Sequence, residues 1–173
     1  MLTITDETKN AILELQRLYP VKRSALLPAL HLAQADAGYL PREIQKEVAD
    51  LFEIDVTEVH GVVTFYDMFY EEPVGKHLIH VCKNISCMLR GGDGLLARLC
   101  QKLQTAPGGT SPDGEFTIIA SECLAACDRA PVMIVDDKVV GPVHVEQIDS
   151  LLVEAKQGPG HPSPIGIEEV RNA

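Results

Sequence analysis

Apolar side chains recur at helical spacing throughout the first part of the chain. In the segment DETKNAILELQRLY, Ile12, Leu15 and Leu18 lie three residues apart with charged residues between them, a pattern typical of an amphipathic helix. Three more helical segments follow after short joints, and four such helices predict a small helical bundle. These segments are SALLPALHLAQADAG, PREIQKEVADLF and DVTEVHGVVTFYDMFY.

Capping residues mark the helix boundaries in this half. Ser24 is expected to begin the second helix and Gly38 to end it, because serine favours N-caps and glycine favours C-caps. Pro41 suits the opening of the third helix, where a missing N–H costs least. Asp55, followed three residues later by Glu58, predicts a capping box at the start of the fourth helix.

The pattern changes in the second half, where short β-type runs alternate with helical ones. The runs VGKHLIHVC and EFTIIASEC predict one strand each, and VMIVDDKVVGPV predicts two strands around the turn DDK. LLARLCQKL and HVEQIDSLLVEAK predict helices. The order of strand, helix, strand, strand, strand and helix predicts a small α/β sheet with helices packed against it.

These patterns together predict an α+β chain in three parts. Residues 1–72 form the helical bundle, and residues 73–157 form the sheet domain. Residues 158–173 are rich in glycine and proline and offer little apolar surface, so we expect an extended tail.

Composition narrows the compartment and the partners. The formal net charge is −10, and no basic stripe offsets it, so nucleic acid is not an expected partner. No apolar run approaches the ~18 residues of a membrane helix, which argues against direct membrane insertion. The first residues, MLTITDETKN, do not resemble a secretory signal. The expected location is the cytoplasm or the cytoplasmic side of a membrane.

Two pairs of cysteines are the main candidates for chemistry. Cys82 and Cys87 have four residues between them, Cys123 and Cys127 have three, and each pair opens at the end of a predicted strand. Loops this wide favour a [2Fe–2S] cluster, in which each iron needs two thiolates. Structural zinc, which usually uses tighter loops, and disulfides or free thiols remain as alternatives.

Several motifs together resemble the thioredoxin-like [2Fe–2S] ferredoxin family. They are GVVTFYDMFY, VGKHLIHVC, CMLRGGDGLL and SPDGEFTIIASECL, and they span nearly the whole chain. The resemblance implies a thioredoxin-like fold for the sheet domain. It also implies that Cys82, Cys87, Cys123 and Cys127 are the cluster ligands. The family usually has glycine where this chain has Ala125, and alanine adopts a positive φ only at a cost.

The resemblance also implies a function. The family includes the small iron–sulfur subunit of respiratory complex I, NADH:quinone oxidoreductase, whose cluster lies beside the FMN of a larger flavoprotein subunit. FMN and NADH are then expected on that partner, with further complex I subunits around it, and the chain alone is not expected to oxidise NADH. The related modules of NAD-linked hydrogenases and formate dehydrogenases are the alternative setting, and a zinc-binding interaction module is the remote one.

Other residues near these motifs are interpreted as structural. Cys100 lies on the apolar face of a predicted helix, where free cysteine packs as a small hydrophobe. His80 is expected to pack beside the cluster without ligating it. Phe65 and Phe69 share one predicted helical face and are expected in the core, with a partner surface as the alternative. The flanking cations Lys83, Arg90 and Arg129 are expected to be solvated, with neutralisation of an anionic cluster as the alternative.

Overall fold

The computed structural model describes residues 2–160. Contacts between Cα atoms divide them into two compact units, one ending at Pro73 and the next beginning at Val74. We call these the helical unit and the sheet unit. Of the predicted tail, residues 161–173 lie outside the described residues. Within the described residues, no helix is both long and apolar enough to cross a membrane.

The helical unit contains the four predicted helices. They pack around a continuous apolar core to which Ile12, Leu30, Ile44 and Val59 each contribute a fully buried side chain. Burying an aliphatic side chain of this size stabilises the fold by about 1.5–3 kcal/mol. The helices are α1 (Asp6–Arg17), α2 (Leu26–Ala37), α3 (Arg42–Phe52) and α4 (Val56–Phe65).

Helix ends follow the prediction in part. Gly38 ends α2 with φ of +85°, as expected. The prediction for Ser24 is wrong, because a 3-10 turn spanning Lys22–Ala25 precedes α2 and provides its first turn. Asp55 caps α4 by accepting a hydrogen bond from the Thr57 N–H at 2.8 Å.

The predicted capping box at α4 does not form. The Glu58 carboxylate turns away from the N-cap and pairs with the Arg23 guanidinium, with 2.6 Å between Oε2 and Nη2. The Glu58 carboxylate therefore pairs with the positive charge of Arg23 rather than with the backbone N–H of Asp55.

The aromatic segment after α4 does not continue the helix. Phe65 is 75% exposed at the helix end, whereas Phe69 is buried in the helical unit. The prediction that both pack in the core is thus wrong for Phe65. Gln34 explains the break, because its side chain donates to the Met68 carbonyl at 2.9 Å and accepts from the Tyr70 N–H at 2.8 Å.

The sheet unit has the predicted order of strands and helices, with one additional short helix, Ile85–Leu89, that the sequence pattern does not predict. Its four strands lie in the order β2-β1-β3-β4, with β1 parallel to β2 and the other neighbours antiparallel. The strands are β1 (His77–Cys82), β2 (Phe116–Ser121), β3 (Met133–Val135) and β4 (Lys138–Val140). The helices are α5 (Ile85–Leu89), α6 (Gly92–Leu103) and α7 (Ile148–Lys156).

Helices α6 and α7 cover the sheet with the apolar faces that the sequence predicts. Leu95 and Leu99 of α6 and Ile148 of α7 are buried with Phe116 and Ile118 of β2. Cys100 packs partly buried against the same core, and burial raises the pKa of its thiol. A neutral thiol in apolar surroundings fits the structural role predicted for Cys100.

Candidate metal centre

Two loops that carry the four cysteines leave the same edge of the sheet. Cys82 is the last residue of β1 and lies beside Ser121, the last residue of β2, in the parallel register. The Lys83 N–H then donates to the Ser121 carbonyl at 2.9 Å. Parallel strands end at a common edge, so the chain after β1 and the chain after β2 begin side by side. We call residues 82–91 the first thiol loop and residues 122–131 the second thiol loop.

The first thiol loop is largely helical and keeps its thiols from water. The Asn84 side chain caps α5 by accepting from the Ile85 N–H at 2.8 Å, which turns the chain so that Cys87 faces inward. Cys82 and Cys87 are only 3% and 2% exposed. They pack in a small apolar cluster with Ala130 and Val132 of the opposite segment.

Gly92 lets α6 begin directly against this loop. A Cβ added at Gly92 would lie 2.9 Å from both the carbonyl carbon and oxygen of Cys87 and 3.1 Å from the carbonyl oxygen of Cys82. Real Cβ atoms do not approach backbone this closely, since both backbones are fixed by secondary structure. The spacing of Cys82 and Cys87 therefore depends on the absence of a side chain at position 92.

The second thiol loop is irregular and open to solvent. Cys123 and Cys127 are both exposed. Ala125 between them has φ of +55°, the left-handed conformation for which the family glycine is suited. The Ala125 N–H points at the Cys123 Sγ at 3.4 Å. A 3-10 turn from Cys127 to Arg129 follows, and the Ala130 N–H closes it on the Cys127 carbonyl.

Several contacts hold the two thiol loops together. Where the loops begin, the Lys83 Nζ lies 2.7 Å from the Glu122 carboxylate. Cys82, the first residue of the first loop, donates its N–H at 3.1 Å to the carbonyl of Val132, the residue that follows the second loop. Where the loops end, the Arg90 Nε donates to the Ala130 carbonyl at 2.9 Å.

The surroundings favour the thiolate of Cys82 over that of Cys87. Burial by itself would raise the pKa of Cys82, but the N–H groups of Asn84 and Leu124 and the Cys87 thiol stabilise its thiolate, and the pKa is lowered overall. Burial and then the neighbouring Cys82 raise the pKa of Cys87, negative charge on Cys127 adds to the effect, and the Val132 N–H only partly opposes it. Neighbouring thiolates repel one another, so a bound cation favours their joint deprotonation.

The donor set fits a two-iron cluster. Each iron of a [2Fe–2S] cluster takes two thiolates, and the two thiol loops offer one pair each. Backbone N–H groups already point at Cys82 and Cys123, as in sites where such bonds tune a cluster. Within residues 2–160, no group of three or more His, Cys, Asp or Glu side chains is placed so that it could hold a metal ion, so the structure brings the two loops to one sheet edge without closing all four sulfurs around a common point.

The fold and the paired thiols define a thioredoxin-like iron–sulfur protein. The family model for the thioredoxin-like [2Fe–2S] ferredoxins matches residues 12–156. The chain therefore belongs to the thioredoxin-like [2Fe–2S] ferredoxin family. The cofactor of this family is a [2Fe–2S] cluster, the first of the alternatives predicted from the cysteine spacing.

Relatives at the sequence level are subunits of two kinds of enzyme complex. The chain is 42% identical over 134 residues to an NADH-quinone oxidoreductase subunit of Rhizobium meliloti (strain 1021), covering 78% of this chain and 80% of that one. It is 43% identical over 132 residues to an NADH-quinone oxidoreductase subunit of Aquifex aeolicus (strain VF5), covering 76% and 82%. It is also 38% identical over 135 residues to the NADP-reducing hydrogenase subunit HndA of Solidesulfovibrio fructosivorans, covering 78% and 79%.

A solved structure shares the fold. A crystal structure of an NAD⁺-reducing [NiFe]-hydrogenase in the air-oxidised state aligns with a TM-score of 0.65 at 23% identity. The match covers 76% of this chain and 23% of that one. At this identity the likeness concerns the fold alone.

Sequence reasoning missed two residues of the site. Arg90 is exposed, as expected, but its Nε also bonds to the second thiol loop, which the sequence did not predict. Gly92 was noted only as part of the motif CMLRGGDGLL, and a side chain there would meet the backbone carbonyls of Cys87 and Cys82. The His80 Nδ1 lies 3.1 Å from the Ser121 hydroxyl; that His80 is not a ligand stays a prediction. The one signal in the sequence was the position of Arg90 and Gly92, within five residues of Cys87.

Proposed function

We propose that this chain is the electron-transfer subunit of an NADH:quinone oxidoreductase, respiratory complex I. It holds one [2Fe–2S] cluster beside the FMN of the NADH-oxidising module, with Cys82, Cys87, Cys123 and Cys127 as the ligands. The observation that carries the proposal is the pair of thiol loops at one sheet edge. The identities of 42% and 43% to quinone oxidoreductase subunits support the choice of complex.

A bound [2Fe–2S] cluster supplies one-electron transfer, which a hydride-accepting flavin needs in order to pass on its electrons singly. The chain's own residues hold this group in two different environments. Cys82 and Cys87 lie out of water and anchor one side of the site. Cys123 and Cys127 lie at the surface, where a redox partner can approach the other side.

The partner in this proposal is a larger flavoprotein subunit that binds FMN and NADH. Other complex I subunits surround the pair, and the module lies on the cytoplasmic side of the membrane, held there by the complex. Hydride transfer belongs to the flavoprotein, so this chain alone oxidises no NADH. Its part is to store and return single electrons beside the flavin.

The second candidate is the same role in the diaphorase module of an NAD-linked hydrogenase. The 38% identity to the NADP-reducing hydrogenase subunit favours it over other settings. Affinity purification of the tagged chain from its native cells separates the two. Co-purifying quinone-reducing membrane subunits support complex I, whereas a co-purifying hydrogenase subunit supports the alternative.

Cofactor analysis tests the ligand assignment. The full chain, reconstituted anaerobically with ferric iron and sulfide, should turn red-brown, hold two irons and two sulfides, and give an EPR signal only after reduction. A colourless protein that holds stoichiometric zinc instead would contradict the proposal. Mixed with its flavoprotein, the chain should form a stable complex that reduces ferricyanide with NADH. NADH oxidation by the chain alone would overturn the division of labour.

A further inference from the structure

The two thiol loops must be held at a fixed separation, because the four cysteines come from two distant segments of sequence. Backbone hydrogen bonds fix this separation near the sheet edge, where Cys82 bonds to Val132. The Val132 backbone N–H also bonds to the Cys87 thiol. Within the described residues, no backbone hydrogen bond joins Cys127, which lies farther along the second loop, to the first loop. Some other contact has to fix the outer part of the site.

Arg90 makes that contact. It lies three residues after Cys87, and Ala130 lies three residues after Cys127. The Arg90 N–H bonds back to the Cys87 carbonyl at 3.1 Å, while its Nε donates to the Ala130 carbonyl at 2.9 Å. The Ala130 N–H is in turn bonded to the Cys127 carbonyl. A short chain of hydrogen bonds therefore runs from Cys87 to Cys127.

We expect the Arg90–Ala130 hydrogen bond to contribute more than the Lys83–Glu122 ion pair, which is the other side-chain contact between the loops. Ala130 is 2% exposed and packs with Cys82 and Cys87, so its carbonyl would lose a partner out of reach of bulk water. The Lys83–Glu122 pair is exposed on both sides, and pairs of that kind contribute little. Among residues 2–160, no carboxylate forms an ion pair with Arg90, which is itself exposed, so the buried partner in this contact is the Ala130 carbonyl.

We propose that Arg90 is a positioning residue for the cluster. By donating from Nε to the Ala130 carbonyl, it sets the separation between Cys87 and Cys127. The inference rests on the proposed ligand set and adds to it a residue that is not a ligand. It assigns the effect of Arg90 to geometry rather than to positive charge near an anionic group.

Arg129 provides the matched control. It carries the same charge and lies two residues after Cys127, but it pairs only weakly with the adjacent Asp128, at 3.7 Å. Within the described part of the chain, its side chain makes no hydrogen bond to the first thiol loop. Arg90→Gln and Arg129→Gln therefore remove one positive charge each, and only Arg90→Gln removes the link between the loops.

The experiment compares the wild type, Arg90→Gln and Arg129→Gln as full chains reconstituted with the cluster. Iron release to an excess chelator is followed by loss of visible absorbance, and the reduced proteins are compared by EPR. Loss of a group that orients metal ligands weakens metal sites by ~10–100-fold. We expect about tenfold faster release and altered g-values for Arg90→Gln, with Arg129→Gln close to the wild type.

Each other outcome is decisive. Wild-type release and g-values in Arg90→Gln would overturn the proposal. Equally faster iron release in both variants would mean that the lost positive charge causes the effect, and this result would also overturn the proposal. Faster release with unchanged g-values, matched by a lower unfolding temperature of the cluster-free protein, would make Arg90 a general stabilising residue. Failure of the wild type itself to take up a cluster would instead reject the proposed ligand assignment.

Discussion

The two thiol loops are built differently, although each supplies one pair of cysteines. The first continues a strand into a capped helix and buries both thiols. The second is irregular, exposes both thiols and contains an alanine in the left-handed conformation. The contrast teaches that one side of the site is fixed by the fold, whereas the other depends on a few local contacts.

The largest expected effect comes from the cysteines themselves. Cys82→Ala and Cys123→Ala should both abolish or severely deplete the cluster, because each iron needs its two thiolates. The two variants should differ in stability when both are measured in the cluster-free form. Cys82→Ala removes a buried sulfur and should lower the free energy of unfolding by about 1 kcal/mol, while Cys123→Ala should leave it nearly unchanged. Iron analysis and denaturant unfolding measure the two effects, and equal destabilisation would erase the contrast between the loops.

Substitution at Gly92 should come next. Gly92→Leu forces a side chain against the backbone of Cys87 and Cys82, and it should deplete the cluster by displacing the first thiol loop. Gly94→Leu is the matched control, because nothing lies within 4 Å of a Cβ at Gly94 in the same helical turn. Iron content and visible absorbance after identical reconstitution provide the comparison. A full cluster in Gly92→Leu would mean that the first loop is not rigid.

Substitution of Cys100, which lies outside both thiol loops, should leave the cluster in place, unlike substitution of the four proposed ligands. Cys100→Ser places a hydroxyl against the apolar core of the sheet unit and should cost about 1 kcal/mol of stability. The cluster should remain, because Cys100 lies on α6 among core residues. Unfolding and iron content are measured on the same preparation. Loss of the cluster here, with retention in a Cys127 variant, would refute the ligand assignment.

The smallest expected effect is a gain. Ala125→Gly removes the cost of a positive φ in the second loop, which is about 1–2 kcal/mol, but it adds backbone entropy to the unfolded chain. The net stabilisation should be about 0.5–1 kcal/mol, with the N–H contact to Cys123 retained. Ala125→Val should destabilise instead. Thermal unfolding distinguishes them, and a less stable glycine variant would show that Ala125 is not strained.

Periodicity predicted the order of strands, the fold class and the helices other than α5, whereas capping residues located only some of the helix ends. Cysteine spacing together with the family motifs predicted the cofactor. The cost of alanine at position 125 was also foreseen, since Ala125 does adopt a positive φ. These features depend on local sequence, and each leaves a recognisable pattern.

What the sequence did not predict depends on partners far along the chain. The bond from Arg90 joins a backbone carbonyl forty residues away, and a carbonyl carries no sequence signature. Phe65 looked like a core residue because the aromatic pattern continues beyond it. The helix ends there because Gln34, more than thirty residues earlier, bonds to the segment that follows.

The parallel pairing of β1 with β2 has a consequence for biosynthesis. During translation, Cys82 and Cys87 are synthesised before β2 and Val132. The first thiol pair therefore stays uncovered until the segment that packs against it has been made. At about 5–20 residues per second, the synthesis of the chain from Cys87 to Val132 takes about 2–9 seconds. During that interval both sulfurs are open to oxidants and to stray metal ions. Cluster delivery is therefore a late event, which follows the synthesis of the second thiol loop.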